Sequence, residues 1–119
     1  MKVAIPLDEN KKDVCVSFGR APLFLLGDTE TGESHILPNP AADAAGGAGL
    51  KASQFVVDQN ADCLITVRCG ENAAQVLKAA GVRICKSLEA SAQDNLKALA
   101  EGRLEELTHF HAGFHGGKQ

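Results

Sequence analysis

The chain has 119 residues, a net charge of −3, 45% hydrophobic residues, neither Trp nor Tyr, five Phe and four Cys. That length makes one domain able to bury a core without staples, and the Ala- and Gly-rich composition calls for a closely packed aliphatic interior. A mildly acidic chain with no Lys/Arg block has no electrostatic footprint for nucleic acid, and no apolar run approaches the roughly 18–20 residues of a membrane span.

Lys2 to Pro6 is a short apolar run closed by Pro6 and the polar stretch Asp8 to Lys12, which reads as a first strand and its loop. The apolar start is too short for a signal peptide, so a cytoplasmic chain with reduced thiols is expected. Pro22 to Asp28 and Ser34 to Leu37, joined by Thr29-Glu30-Thr31-Gly32, read as a β-hairpin. Pro38 to Gly49, rich in Pro, Ala, Asn and Gly, is a long loop of the kind that serves as a lid.

Ala48 to Asn60 has amphipathic spacing, with Leu50, Phe55, Val56 and Val57 as its apolar residues. Cys63 to Val67 is a nearly continuous apolar run, the mark of a strand buried on both faces. Asn72 to Ala80 is a helix with Ala73, Val76, Leu77 and Ala80 on one face and Gly81 as its stop. Val82 to Cys85 is a second buried strand, and Ser91 to Glu101 a last helix with Leu96 and Leu99 inward and Gly102 at its end. The order βαβα in this half predicts parallel strands. A domain over 1–108 followed by a flexible Gly/His-rich tail over 109–119 is expected.

Parallel strands place whatever leaves their carboxyl ends on one edge, where α/β proteins hold ligands. Cys69 and Cys85 follow such strands, and Cys15 joins them if the first strand runs the same way. Cys63 opens its strand, so it is expected at the opposite edge as a small packed hydrophobe. Cys69 precedes Gly70-Glu71-Asn72 at a helix start, where amides and the helix dipole favour a thiolate or an anion. Arg20, next to Ser17 and Gly19, offers a forked donor for an anionic ligand. His109, His111 and His115 supply imidazoles, whereas His35 lies in a hairpin strand as a surface residue. There is no Cys-x-x-Cys pair and no zinc-finger spacing.

Several segments, in order, resemble the dinitrogenase iron-molybdenum cofactor biosynthesis family: Met1 to Pro6 with Asp8, Phe18-Gly19-Arg20-Ala21-Pro22, Asp28 to Gly32, Asn39-Pro40, Gly46 to Gly49, and Ile65-Thr66 leading to Gly70-Glu71-Asn72-Ala73. The resemblance runs from about Met1 to Leu107. It implies a ribonuclease-H-like three-layer α/β fold with a mixed five-stranded sheet and helices on both faces. It also implies binding, carriage or storage of an iron–sulfur, iron–molybdenum–sulfur or molybdenum–copper–sulfur cluster, without catalysis. Many members carry a His immediately before the Phe-Gly pair, where this chain has Ser17.

Together these readings place the cluster among three segments: the Cys15 to Arg20 loop, the Asn39 to Gly49 loop and the Cys69 to Asn72 turn. Cys69, Cys85 and Cys15 are the proposed metal ligands, with His109, His111 and His115 closing over. Ser17, Arg20, Gly70 and Asn72 would cradle an anionic cluster. A metallocluster donor or acceptor protein is the expected partner, nucleic acid and membrane are not, and the chain would be a monomer or weak homo-oligomer. The rival readings are a thiol-dependent enzyme using Cys69, which lacks a partnered base, and a protein-interaction module.

Overall fold

The structure is a computed structural model that describes residues 1–111. Its elements are β1 (Lys2–Leu7), β2 (Leu23–Asp28), β3 (Ser34–Pro38), α1 (Ala48–Asp58), β4 (Cys63–Thr66), α2 (Glu71–Ala79), β5 (Arg83–Lys86) and α3 (Ala92–Ala100). The five strands form one sheet in the order β3-β2-β1-β4-β5. β1 to β3 pair antiparallel in sequence, while β4 runs parallel to both β1 and β5. The sheet is thus mixed, with the expected hairpin and the expected parallel half.

The central strands β1 and β4 are buried on both faces, as their unbroken apolar runs require. Alternation along each strand divides the core in two. Ala4, Leu26, Leu64 and Ile84 meet Ala48, Ala52 and Val56 of α1 and Ala73, Ala74 and Leu77 of α2. Val3, Ile5, Leu25, Cys63, Ile65 and Cys85 face the other way, toward Ala92 and Leu96 of α3. Helices therefore cover both faces of the sheet. Small residues permit this closeness: a Cβ on Gly27 would lie 2.8 Å from a methyl carbon of Leu96.

Helix stops fall at residues with left-handed backbone, Asn60 (φ 60°), Gly81 (φ 81°) and Gly102 (φ 72°). Two expectations shift. Leu50, placed on the apolar face of α1, is 47% exposed, and Ala48, Ala52 and Val56 form the buried stripe. Pro6 lies inside β1 instead of ending it. Its carbonyl accepts from the Cys15 N–H at 2.9 Å. In an extended strand a residue's N and O point to the same side, so the N–H that Pro6 lacks is not one owed to β2. Among the described residues no helix is long and apolar enough to cross a membrane.

Candidate functional site

The topology gathers one edge. β1, β4 and β5 end there, β2 begins there opposite Leu7, and β3 ends there opposite Leu23. The connections over residues 8–22, 39–47, 67–70 and 87–91 and the starts of all three helices consequently share it. Val16, Leu50, Val67 and Leu88, the exposed large hydrophobics among the described residues, all belong to these loops or to the first turn of α1.

The loop from Ser17 to Arg20 is a built element. The Ser17 hydroxyl accepts from Arg20 N–H at 3.1 Å, and the Arg20 guanidinium donates to the Ala44 carbonyl, tying this loop to the one before α1. Buried Asn39 donates to the carbonyls of Gly19 (3.1 Å) and Ala21 (2.8 Å) and accepts from Ala41 N–H. Gly19 lies so close to the start of α1 that a Cβ there would be 2.9 Å from Gly49 N. Both Ser17 and Arg20 are exposed at the edge, but their polar groups already serve the loop architecture.

Neither α1 nor α2 has a side-chain cap: their N-cap residues are Gly47 and Gly70, whereas Ser91 caps α3 by accepting from Asp94 N–H. The opening of α2 is met by the chain's own later segment. His111 N–H donates to the Cys69 carbonyl (3.2 Å), Glu71 N–H donates to the His111 carbonyl (2.9 Å), and the His111 ring packs over Gly70. Upstream, Lys86 N–H donates to Glu105 O (2.8 Å) and Leu107 N–H to Ile84 O (2.9 Å). Phe110 adds a contact beneath the Lys78 ammonium, 4.3 Å from its ring centre. Residues 105–111 thereby run along the outer side of β5 to the start of α2 and wall a cleft of about 430 Å³ whose lining includes Arg68, Cys69, Lys86, Glu105, His109 and His111. Asn72 is exposed on the first turn of α2. His115 lies outside the described residues.

The cysteines do not converge as expected. Cys69 turns inward, 1% exposed, into the core beneath α1 and α2, and burial pushes its thiol up to about 11 despite the nearby Lys78 charge. The helix start therefore does not make it an acidic thiol. Cys85 is not beyond a strand end: β5 continues to Lys86, and the alternation that sends Ile84 to one face sends Cys85 to the other. There it meets Cys63, Sγ to Sγ 3.3 Å, both fully buried. Cys63 is indeed packed, but against Cys85 and not at the opposite edge from it. One thiol donates to the other: the contact with Cys85, together with burial, holds Cys63 protonated far above the thiol range, while the same contact draws Cys85 below it. Cys15 is half-buried beside Pro6, its thiol raised first by burial. Among the described residues no three His, Cys, Asp or Glu side chains are grouped to hold a metal ion.

Sequence reasoning missed Arg68, Lys86 and Glu105 as lining residues, because the segment that turns their surface into a cleft has no periodicity to announce it. Asn95 was also missed. Fully buried on α3, it accepts from Leu88 N–H (2.8 Å) and donates to the carbonyls of Leu88, Ala90 and Ser91, fixing the 87–91 loop at the same edge. An Asn next to the inward Leu96 on that helix is the signal that could have found it.

Known proteins share this architecture. The apo form of the orange protein from Desulfovibrio gigas superposes with a TM-score of 0.82 at 27% identity, over 90% of this chain and 92% of that one. A NifB-like protein from Thermotoga is 40% identical with a TM-score of 0.74, over 92% and 95% of the two chains. An uncharacterized protein of Methanocaldococcus jannaschii is 28% identical over 110 residues, 90% of this chain and 92% of its own. The family model described as dinitrogenase iron-molybdenum cofactor matches residues 1–102, and the chain belongs to that family.

Proposed function

We propose that this protein binds a ready-made metal–sulfur cluster as cargo at the carboxyl edge of its sheet, carrying or storing it without chemical turnover, in the cytoplasm and on a ribonuclease-H-like framework. The observation that carries the reading is the cleft walled by residues 105–111, where cationic Arg68 and Lys86 and imidazoles His109 and His111 line one cavity together with Glu105 and Glu106. A sulfide cluster brings its own ligands and is anionic, so the Arg68 and Lys86 cations and the imidazole N–H groups would hold it, with Glu105 and Glu106 opposing. That form of binding fits an edge without a metal-ligating trio among the described residues. A cleft of about 430 Å³ is in the size range of small-ligand sites.

Iron–sulfur, iron–molybdenum–sulfur and molybdenum–copper–sulfur clusters are the candidate cargoes, exchanged with a donor or acceptor protein. The exposed Val16, Leu50, Val67 and Leu88 beside the loops would serve that encounter. A nucleophilic role for Cys69 is disfavoured, since a buried thiol pushed up to about 11 is protonated at neutral pH. Anaerobic incubation with iron and sulfide, or with tetrathiomolybdate and copper, followed by gel filtration is the test. A visible chromophore that co-elutes with the protein, and is lost on replacing Arg68 and Lys86 together by Gln, is expected. Absence of any co-eluting colour, or retention unaffected by the double replacement, overturns the reading.

A further inference from the structure

The fully buried sulfur pair on the α3 face of the sheet is used by nothing described above. Cys63 opens β4, Cys85 is the third residue of β5, and the register pairs Cys63 with Arg83 and Ile65 with Cys85. The two cysteines are therefore diagonal neighbours, two residues apart along the strands. With strands about 4.8 Å apart and a rise of about 3.3 Å per residue, their Cα atoms lie roughly 8 Å apart. A disulfide needs a Cα separation below about 7 Å, so closing one here requires backbone movement. A bridging ion spans a longer sulfur-to-sulfur distance than a disulfide bond and so tolerates this Cα separation. Two metal–thiolate bonds of about 2.3 Å in line span about 4.6 Å, so the sulfurs, 3.3 Å apart, must move about 1.3 Å farther apart to take an ion between them.

The donor set selects the ion. Two sulfurs with no further ligand grouped beside them among the described residues, in a site closed to water, cannot complete the four-coordinate shell of Zn²⁺. Thiolate softness and two-coordination suit Cu(I). We propose that Cys63 and Cys85 form a two-coordinate site for a single Cu(I) ion, on the sheet face opposite Cys69.

On binding, each thiol releases its proton to solvent and each thiolate donates an electron pair to copper, with no change of oxidation state. The complex carries one negative charge, which the Arg83 guanidinium favours and Asp62 and Glu106 oppose. The inference stands apart from the cluster reading, which concerns the other face and the carboxyl edge.

The test is anaerobic titration of the full-length reduced protein with Cu(I) against a chromophoric Cu(I) chelator. One equivalent is expected to be retained by the wild type and by the C15S/C69S variant. In C63S and in C85S the affinity should fall by more than the roughly 10- to 100-fold that loss of an outer partner of a metal ligand costs. Because these positions are buried, circular dichroism must show both variants folded. X-ray absorption on the copper-loaded wild type gives a second readout that needs no variant, with two sulfur neighbours and no nitrogen expected. Nitrogen in the copper shell, failure of the wild type to retain copper, or unchanged affinity in folded C63S and C85S overturns the proposal.

Discussion

Replacing Gly19 by Ala tests whether the Ser17–Arg20 loop is pressed onto the start of α1. The added Cβ would lie 2.9 Å from Gly49 N and 3.1 Å from both Ala48 C and Gly49 Cα. All three are backbone atoms, so no side chain can swing aside, and restoring an ordinary separation of 3.4 Å demands a shift of the loop or helix start by about half an ångström. Overpacking of this kind costs about 1–3 kcal/mol. For a domain of this size that lowers Tm by roughly 4–12 °C, at about 4 °C per kcal/mol. Gly46 is the control: a Cβ there meets nothing within 4 Å, and its φ is not positive. Gly46→Ala should therefore be neutral, or stabilising by up to about 1 kcal/mol through the unfolded chain. Thermal and urea unfolding of the two variants beside the wild type decide the matter. A G19A protein as stable as wild type, or a G46A protein equally destabilised, refutes the close-approach argument.

Asn95→Ala strips the 87–91 loop of its buried acceptor and donors, leaving Leu88 N–H unpaired. A loss of about 2–3 kcal/mol is expected as a lower urea midpoint at unchanged m-value. Cys69, pushed up to about 11 in the folded state, loses its proton more readily when unfolded. Its contribution is thus intact below about pH 9 and lost as pH rises from there toward 11. Between pH 8 and 10.5 the wild type should lose up to about 2 kcal/mol more than Cys69→Ala, and parallel pH profiles would rule this out. Phe110→Ala removes the Lys78 contact at 4.3 Å, worth about 0.5–1 kcal/mol. Hydrogen exchange should then show the Glu71 amide, which donates to His111 O, less protected.

Most of the fold was legible because local chemistry and global architecture agree. The hairpin turn, the unbroken apolar run at Cys63 to Thr66 and the stops at Asn60, Gly81 and Gly102 each announce an element that the structure contains. The exceptions are places where a distant partner rewrites the local rule. Pro6 continues β1 because its ring faces the Cys15 side, a relation set by a chain reversal eight residues long. Leu50 is exposed because the sheet accepts the Ala48, Ala52 and Val56 stripe of α1, and these small residues let the helix lie close.

The candidate edge was legible and its ligands were not, for one physical reason. Where a loop leaves a sheet depends on strand direction, which βαβ connectivity dictates. Where a side chain points depends on register and strand length, and a one-residue change turns it to the opposite face. β5 runs on through Lys86, and its alternation and register with β4 turn Cys85 against Cys63 and leave Lys86 beside the cleft. That alternation replaces a soft sulfur donor at the edge by a cation. Cys69, drawn into the core, lines the cleft but keeps its proton there, so the chemistry available at neutral pH is that of Arg68, Lys86, imidazole and the carboxylates of Glu105 and Glu106. The cations among them attract an assembled anion but do not replace the sulfurs that build one. On the cluster reading proposed above, the edge receives its cargo already formed, and the soft-metal chemistry proposed for this protein lies with the buried pair on the other face.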